Sequence, residues 1–174
     1  MKTAYHEMSR DELLRALEAF ARNWLAHDGC WFLGAEEAYG MDAAIDLDAR
    51  AWKRFAAAEA RRLMEAFGIP ENGGLEALAF ALDRRMYTLV NPQRLEWSDD
   101  RSALRLVVES CRVQETRRRK GLPDFPCKPV GIVEYETFAR TVDPRVEVRC
   151  LHCPPDAHPN EACAWEFTLR PAGS

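Results

Sequence analysis

RMYTLVNPQRLEWSDDRSALRLVVE, residues 85–109, is the stretch in which the sequence changes its period. Upstream of it, apolar residues return every three or four positions, as they do along one face of a helix. Within it, β-branched and aromatic residues gather in short runs bounded by turn formers, as they do in strands. Residues 85–91, 94–97 and 103–109 are predicted strands, and residues 98–101, Ser-Asp-Asp-Arg, are the turn joining the second to the third.

Working back toward the N-terminus, Ser9 followed by Glu12 forms a capping-box pattern. Leu13, Leu14, Leu17, Phe20, Ala21 and Trp24 then recur at helical spacing. Asp28 and Gly29 read as a break, with Asp28 capping a second helix over residues 30–39 that Gly40 ends. A third helix is expected from about residue 48 to 67, with Trp52, Phe55, Ala56, Leu63, Met64 and Phe67 as its apolar stripe. Gly68 and Pro70 stop it. A fourth, residues 75–86, follows the Gly73-Gly74 break.

Working forward, a short basic helix is expected at residues 113–120, closed by Gly121. The segment LPDFPCKP, residues 122–129, reads as a rigid loop, and residues 130–141 as a helix ended by Asp143-Pro144. Two last strands, 146–151 and 162–169, pair as a hairpin. Helices first, then mostly antiparallel strands with two helices inserted between them, define an α+β fold. Strand and helix do not alternate as a parallel sheet requires. The expectation is a single domain over residues 1–174, helical through residue 88 and sheet-forming from residue 89.

The 174 residues are 47% hydrophobic and 30% charged, a composition that supports a folded core. No run approaches the roughly 18 apolar residues needed to span a bilayer, and the N-terminus lacks the apolar core of a signal peptide. Cytoplasmic residence is the expectation. A net charge of -4 argues against nucleic acid as a partner. The cluster Arg117, Arg118, Arg119, Lys120 reads as a solvated helix end, where cations offset the negative pole of the dipole.

Chemistry points to the last third of the chain. Six cysteines in a reducing compartment are not expected to form disulfides. Cys30 stands alone in an apolar context and reads as a small buried side chain. Cys150-x-x-Cys153 closes one predicted strand and Cys163 opens the next, so hairpin pairing would bring three sulfurs to one end. His152 and His158 lie between them. Thiolates and imidazoles are the donors that Zn2+, or less readily iron, requires, and a CxxC supplies two ligands from one tight turn. The expected metal ligands are Cys127, Cys150, Cys153 and Cys163, with His152 as an alternate. Cys127 carries a second possibility. A thiol at a helix N-terminus beside Lys128 should hold its proton weakly, as a nucleophile does.

Other groups read more plainly. Glu134 and Glu136 project to opposite sides of their helix, so one lines a pocket and the other faces solvent. His27, Asp28, Glu36, Glu37, Asp46 and Asp48 are dense and lie among tryptophans. They lack the Glu-x-x-His pair of a di-metal centre. The tryptophan-rich helices could instead form a homodimer face.

Two stretches carry a family resemblance: WLAHDGCWFLGAEEAYGMDAAIDLDARAW, and RKGLPDFPCKPVGIVEYETFARTVDPRVEVRCLHCPPD with its trailing CAWEF. Together they resemble a prokaryotic domain-of-unknown-function family (DUF6125-like), a resemblance that implies a fold and no reaction. The C-terminal half more distantly resembles the L-2-amino-thiazoline-4-carboxylic acid hydrolase family, in which a cysteine precedes a helix and a closing strand carries a cysteine followed by an aromatic residue. On that likeness Cys127 and Cys163 take the family's positions. A C–N hydrolase of small heterocyclic or amide substrates, with Cys127 as nucleophile, is implied. Cys150-Leu-His-Cys153-Pro-Pro lies outside the hydrolase pattern. The leading expectation is a cytosolic protein with a cysteine-centred site for a metal ion or small molecule.

Overall fold

The computed structural model describes residues 2–156, 158 and 160–170. Five α-helices and a four-stranded antiparallel sheet make an α+β fold with helices leading and a hairpin closing it. The first helix, α1 (Arg10–Tyr39), opens on the expected capping box: Ser9 Oγ accepts from the Glu12 amide, and the Ser9 amide donates to Glu12 Oε2 at 2.8 Å. It does not break at Asp28-Gly29. A helical glycine costs only about 1 kcal/mol relative to alanine, and packing of α1 along the next helix outweighs it. The real break is at Gly40, whose φ of +83° suits a residue without Cβ. There α1 gives way at once to α2 (Met41–Phe67), seven residues earlier than expected from Asp48.

The long helix α2 presents a face of small residues. Ala44, Ala56 and Ala60 are almost fully buried, which lets a partner helix approach closely. That partner is α5 (Lys128–Val142), whose Phe138, Ala139 and Val142 are also fully buried. A short α3 (Gly74–Leu82) joins them through Asp143. Its buried carboxylate accepts from the Gly74 amide at 2.9 Å and pairs with the Arg145 guanidinium at 2.6 Å. The Arg145 hydrogen bonds hold Asp143 down to about 2, well below the ordinary carboxylate value.

The segment 85–91 corrects the expected strand. Met86–Leu89 is a 3-10 turn, because Arg85 is drawn into the interior by acids and Tyr87 packs against Trp24 and Trp52 with ring centroids under 6 Å apart. The sheet begins after it with β1 (Gln93–Trp97) and β2 (Ala103–Val108), joined by the expected turn. There the Ser98 amide donates to the Ala103 carbonyl. Helices α4 (Arg112–Arg119) and α5 then carry the chain to β3 (Val146–His152) and β4 (Cys163–Leu169). The hairpin forms as expected, and β4 inserts between β3 and β2, giving the order β1-β2-β4-β3.

Register sorts the two faces. Leu104 opposes Phe167 and Leu106 opposes Trp165, all buried beneath the helices. On the outer face Arg105 and Arg149 flank Glu166, at 2.9 and 2.5 Å, so a ladder of alternating charge replaces a second helical layer. Along the outside of α1, Leu17, Phe20 and Trp31 stay exposed.

One close approach ties α5 to the sheet. A Cβ on Gly131 would lie 2.6 Å from Trp165 Cζ2 and 2.8 Å from Cη2, and Trp165 is fully buried. Gly131→Ala should therefore destabilise the protein by about 1–3 kcal/mol in chemical denaturation, since neither helix nor indole can yield cheaply. Gly34→Ala, where an added Cβ meets nothing within 4 Å, should be neutral or stabilising by up to about 1 kcal/mol. Equal midpoints for the two variants would contradict this packing.

Candidate functional site

Between α1, α2, α4, α5 and the β2–β4 end of the sheet lies a cavity of about 330 Å3. Its body is apolar, formed by Leu25, Phe32, Trp52, Phe125, Val130 and Trp165. The loop after α4 closes over it. Gln114 exchanges two hydrogen bonds with the Phe125 backbone at 2.8 and 2.9 Å, and Phe125 packs on Phe32 at 4.7 Å. Arg117 is the exception to the solvated basic cluster. It is buried, donates to the Pro123 carbonyl, and pairs with both oxygens of Glu36 at 2.6 and 2.9 Å, pinning α4 to α1.

Acids line the same cavity. Asp28, expected as a helix cap, instead projects from the middle of α1. Asp48 from α2 and Glu134 from α5 join it. Of the pair on α5, Glu134 is buried and Glu136 is more open, as the helical spacing requires. Behind Glu134 sits Arg85, almost fully buried. Its Nε and Nη2 donate to Glu59 Oε2 at 3.0 and 2.8 Å, and Nη2 lies 2.7 Å from Glu134 Oε1. Burial would weaken the Arg85 charge, but the Glu134 and Glu59 carboxylates outweigh it and keep the guanidinium protonated. Glu134 is nevertheless pushed up to about 7, by burial first and against the pull of Arg85. Asp48 also rises to about 7, from burial and then from the Asp28 and Glu134 charges. Asp28 rises for the same first reason, with His27 opposing.

Nothing local marks Arg85, one arginine in a doublet. Glu59 did leave a trace: it falls on the α2 stripe, three residues from Ala56 and seven from Trp52, where a surface acid has no place.

The cysteines meet from distant parts of the chain. Cys127 is the N-cap residue of α5; its carbonyl accepts from the Gly131 amide at 2.8 Å, while its side chain caps nothing. Cys153 is fully buried, and the neighbouring Cys127 and Cys163 thiols push its own thiol upward from the ordinary value. Cys163 shifts the other way, helped first by the Cys153 thiol. Cys150 opposes Trp165 across the hairpin, which makes it a diagonal neighbour of Cys163 on the same face. Cys127 and Cys163 also border the cavity, as does Cys111, whose thiol burial pushes up to about 12. Cys30, expected to be buried, is exposed.

His152 goes elsewhere. A register irregularity between Cys150 and His152 turns it toward His158, with the rings stacked at 4.0 Å. His152 Nε2 lies 3.5 Å and His158 Nδ1 3.9 Å from Glu161 Oε2, while the other oxygen of Glu161 accepts from Arg94 at 2.6 Å. Among the described residues this is the one set of three metal-type donor atoms lying mutually within 4.8 Å; no three of the sulfurs are that close.

A model of a family of unknown function, DUF6125, matches residues 6–169. The chain belongs to that family. Curated proteins offer no match. Among solved structures, the trafficking protein particle complex subunit 3 from Naegleria fowleri, covalently bound to palmitic acid, is similar with a TM-score of 0.55. It is 13% identical, with 90% of this chain and 96% of that one covered. The phenol-responsive sensory domain of the transcription activator PoxR, solved with phenol, is similar at TM-score 0.53 and 14% identity, over 83% and 73% of the two chains. Both share the fold. No helix among the described residues is long and apolar enough to cross a membrane.

The acid wall carries a signed prediction. The folded Asp48 carboxyl titrates at about 7, above its ordinary value of 3.8. Its contribution to stability is therefore present below that ordinary value and is lost as pH rises through about 7. Asp48→Asn should leave the melting temperature nearly unchanged at about pH 4 and raise it by several degrees at about pH 8. A gap that stays constant with pH would show that Asp48 is already ionised in the acid range.

Proposed function

We propose that this chain is a small-molecule-binding domain of the cytoplasm. In this reading the cavity receives the ligand, and Cys127, Cys150, Cys153 and Cys163 hold one Zn2+ that fastens the start of α5 to the closing hairpin. The observation that carries the reading is the shared wall: the cavity is bordered by two of the four sulfurs, with the buried Cys153 beside them. Support for a ligand comes from the two similar folds, one bound to palmitic acid and the other responsive to phenol. A volume of about 330 Å3 fits a small organic molecule.

Support for zinc lies in the donor set. Four free thiols without a carboxylate among them suit Zn2+ better than a hard cation, and all six cysteines are unpaired. The sulfurs would draw inward on binding, since tetrahedral Zn–S bonds of about 2.3 Å bring sulfurs to roughly 3.8 Å of one another. A closed four-sulfur set leaves no open position, so the ion would supply rigidity rather than catalysis. His152 would have to leave Glu161 to substitute for any of them.

Elemental analysis of untagged protein purified without chelator should give close to one zinc per chain. Cys153→Ser and Cys163→Ser should each lose it, with a lower melting temperature. Metal-free protein with the stability of the zinc-treated sample would end the zinc reading.

The cavity has its own test. Gly29 borders it, and a Cβ there meets nothing within 4 Å. Gly29→Phe should fold normally and fill the space. Phenol and palmitate should quench the fluorescence of Trp52 and Trp165 in the native chain and not in this variant. Equal quenching of both proteins would place binding outside the cavity.

A further inference from the structure

The geometry points to a class of ligand: a small organic ammonium ion on an aromatic or aliphatic body, seated against Asp28, Asp48 and Glu134. The inference rests on the cavity-binding reading above and names what that cavity selects.

Three helices each send one acid to the same cavity, Asp28 from α1, Asp48 from α2 and Glu134 from α5. Behind them Arg85 pairs with Glu59 and Glu134, and with neither Asp28 nor Asp48. Glu134 matters most. Its side chain is 9% exposed, it borders the cavity, and its Oε1 has no hydrogen-bond partner although Arg85 is near. Arg85 Nη2, which donates to Glu59, lies 2.7 Å from this oxygen and pairs with it as an ion. A buried carboxylate with unmet acceptor capacity favours a further donor, and Glu134 borders the cavity from which one can come.

A metal ion is the usual occupant of three clustered acids, and here the spacing speaks against it. No three carboxylate oxygens of this wall lie within 4.8 Å of one another, so they surround a space rather than a point. An ammonium group on an organic body fits such a space. It brings three donors and a full charge, and its body takes up the apolar surface of Leu25, Phe32 and Trp165. Trp52, Tyr87 and Tyr135 also line the cavity and would add aromatic attraction for a cation. Along α4 the cavity is bordered by Arg112, Arg119 and Lys120, which repel a cation and so turn the ammonium end toward the acids.

Phenethylamine and its neutral isostere 2-phenylethanol are the probes, titrated against the native chain, Gly29→Phe, and the double variant Asp48→Asn/Glu134→Gln. The double variant should fold, because it removes unmatched charge and leaves Arg85 bound to Glu59. At about pH 8 the amine should bind the native chain at least about tenfold more tightly than the alcohol. That preference should fall to within about twofold in the double variant. Equal binding of amine and alcohol, both blocked in Gly29→Phe, would overturn the ammonium inference and leave the cavity reading intact. A preference that survives in the double variant would overturn it too, and binding of neither probe would remove both.

Discussion

One guanidinium stands among too many acids. Arg85 is the buried cation shared by Glu59 of α2 and Glu134 of α5, and it reaches them from the 3-10 turn that precedes the sheet. Breaking such a pair would strand a charge in the interior at a cost of several kcal/mol, so its position fixes how the two long helices sit against the start of the sheet. Aromatic rings of Trp52, Tyr87 and Phe138 surround the guanidinium and exclude water from it. The same arrangement leaves Asp28 and Asp48 without a cation of their own in the interior. The fold thus fixes the polarity of the cavity before any ligand is considered.

The cysteine group depends on a different constraint, the meeting of α5 with β4. Gly131 lets the helix lie directly on the Trp165 indole, and Cys127 sits one turn before that contact while Cys163 sits two residues before Trp165. The approach that packs the core is therefore the one that brings the sulfurs of the helix start and the hairpin to one end of the molecule. Cys153, the residue directly after β3, is fully buried. Packing and thiol chemistry share one geometric cause.

What could be read from the sequence follows from how local the information is. The capping box at Ser9 and Glu12, the turn at Ser98 and the closing hairpin are set by residues within a few positions of each other, and each forms as read. Hairpin pairing made it legible that Cys150, Cys153 and Cys163 lie toward one end of the sheet, whereas the approach of Cys127 depends on how α5 packs. Asp28-Gly29 misled because a local break signal lost to the long-range packing of α1 on α2. Residues 85–91 misled for a related reason: an apolar, β-branched run looks like a strand whether or not it has a strand beside it. Here burial of Arg85 against two acids from other helices decided its shape. The acid wall was visible only as a dense group of carboxylates, since nothing local says that residues 28, 48 and 134 face one space.

A cavity and unmatched buried acids both lower stability, and the two costs fall on the same place. Space of this size forgoes the contacts that close packing would provide, and each acid raised toward neutrality opposes ionisation of the next. Filling the cavity with larger side chains, or replacing Asp48 by a neutral one, would relieve them with small changes. A chain that keeps both features gains stability from an occupant in proportion to its concentration over its dissociation constant. An apolar molecule without charge would relieve only the packing cost. A cationic one would relieve the electrostatic cost as well, so on the proposed reading discrimination would rest on the acids and capacity on the apolar wall.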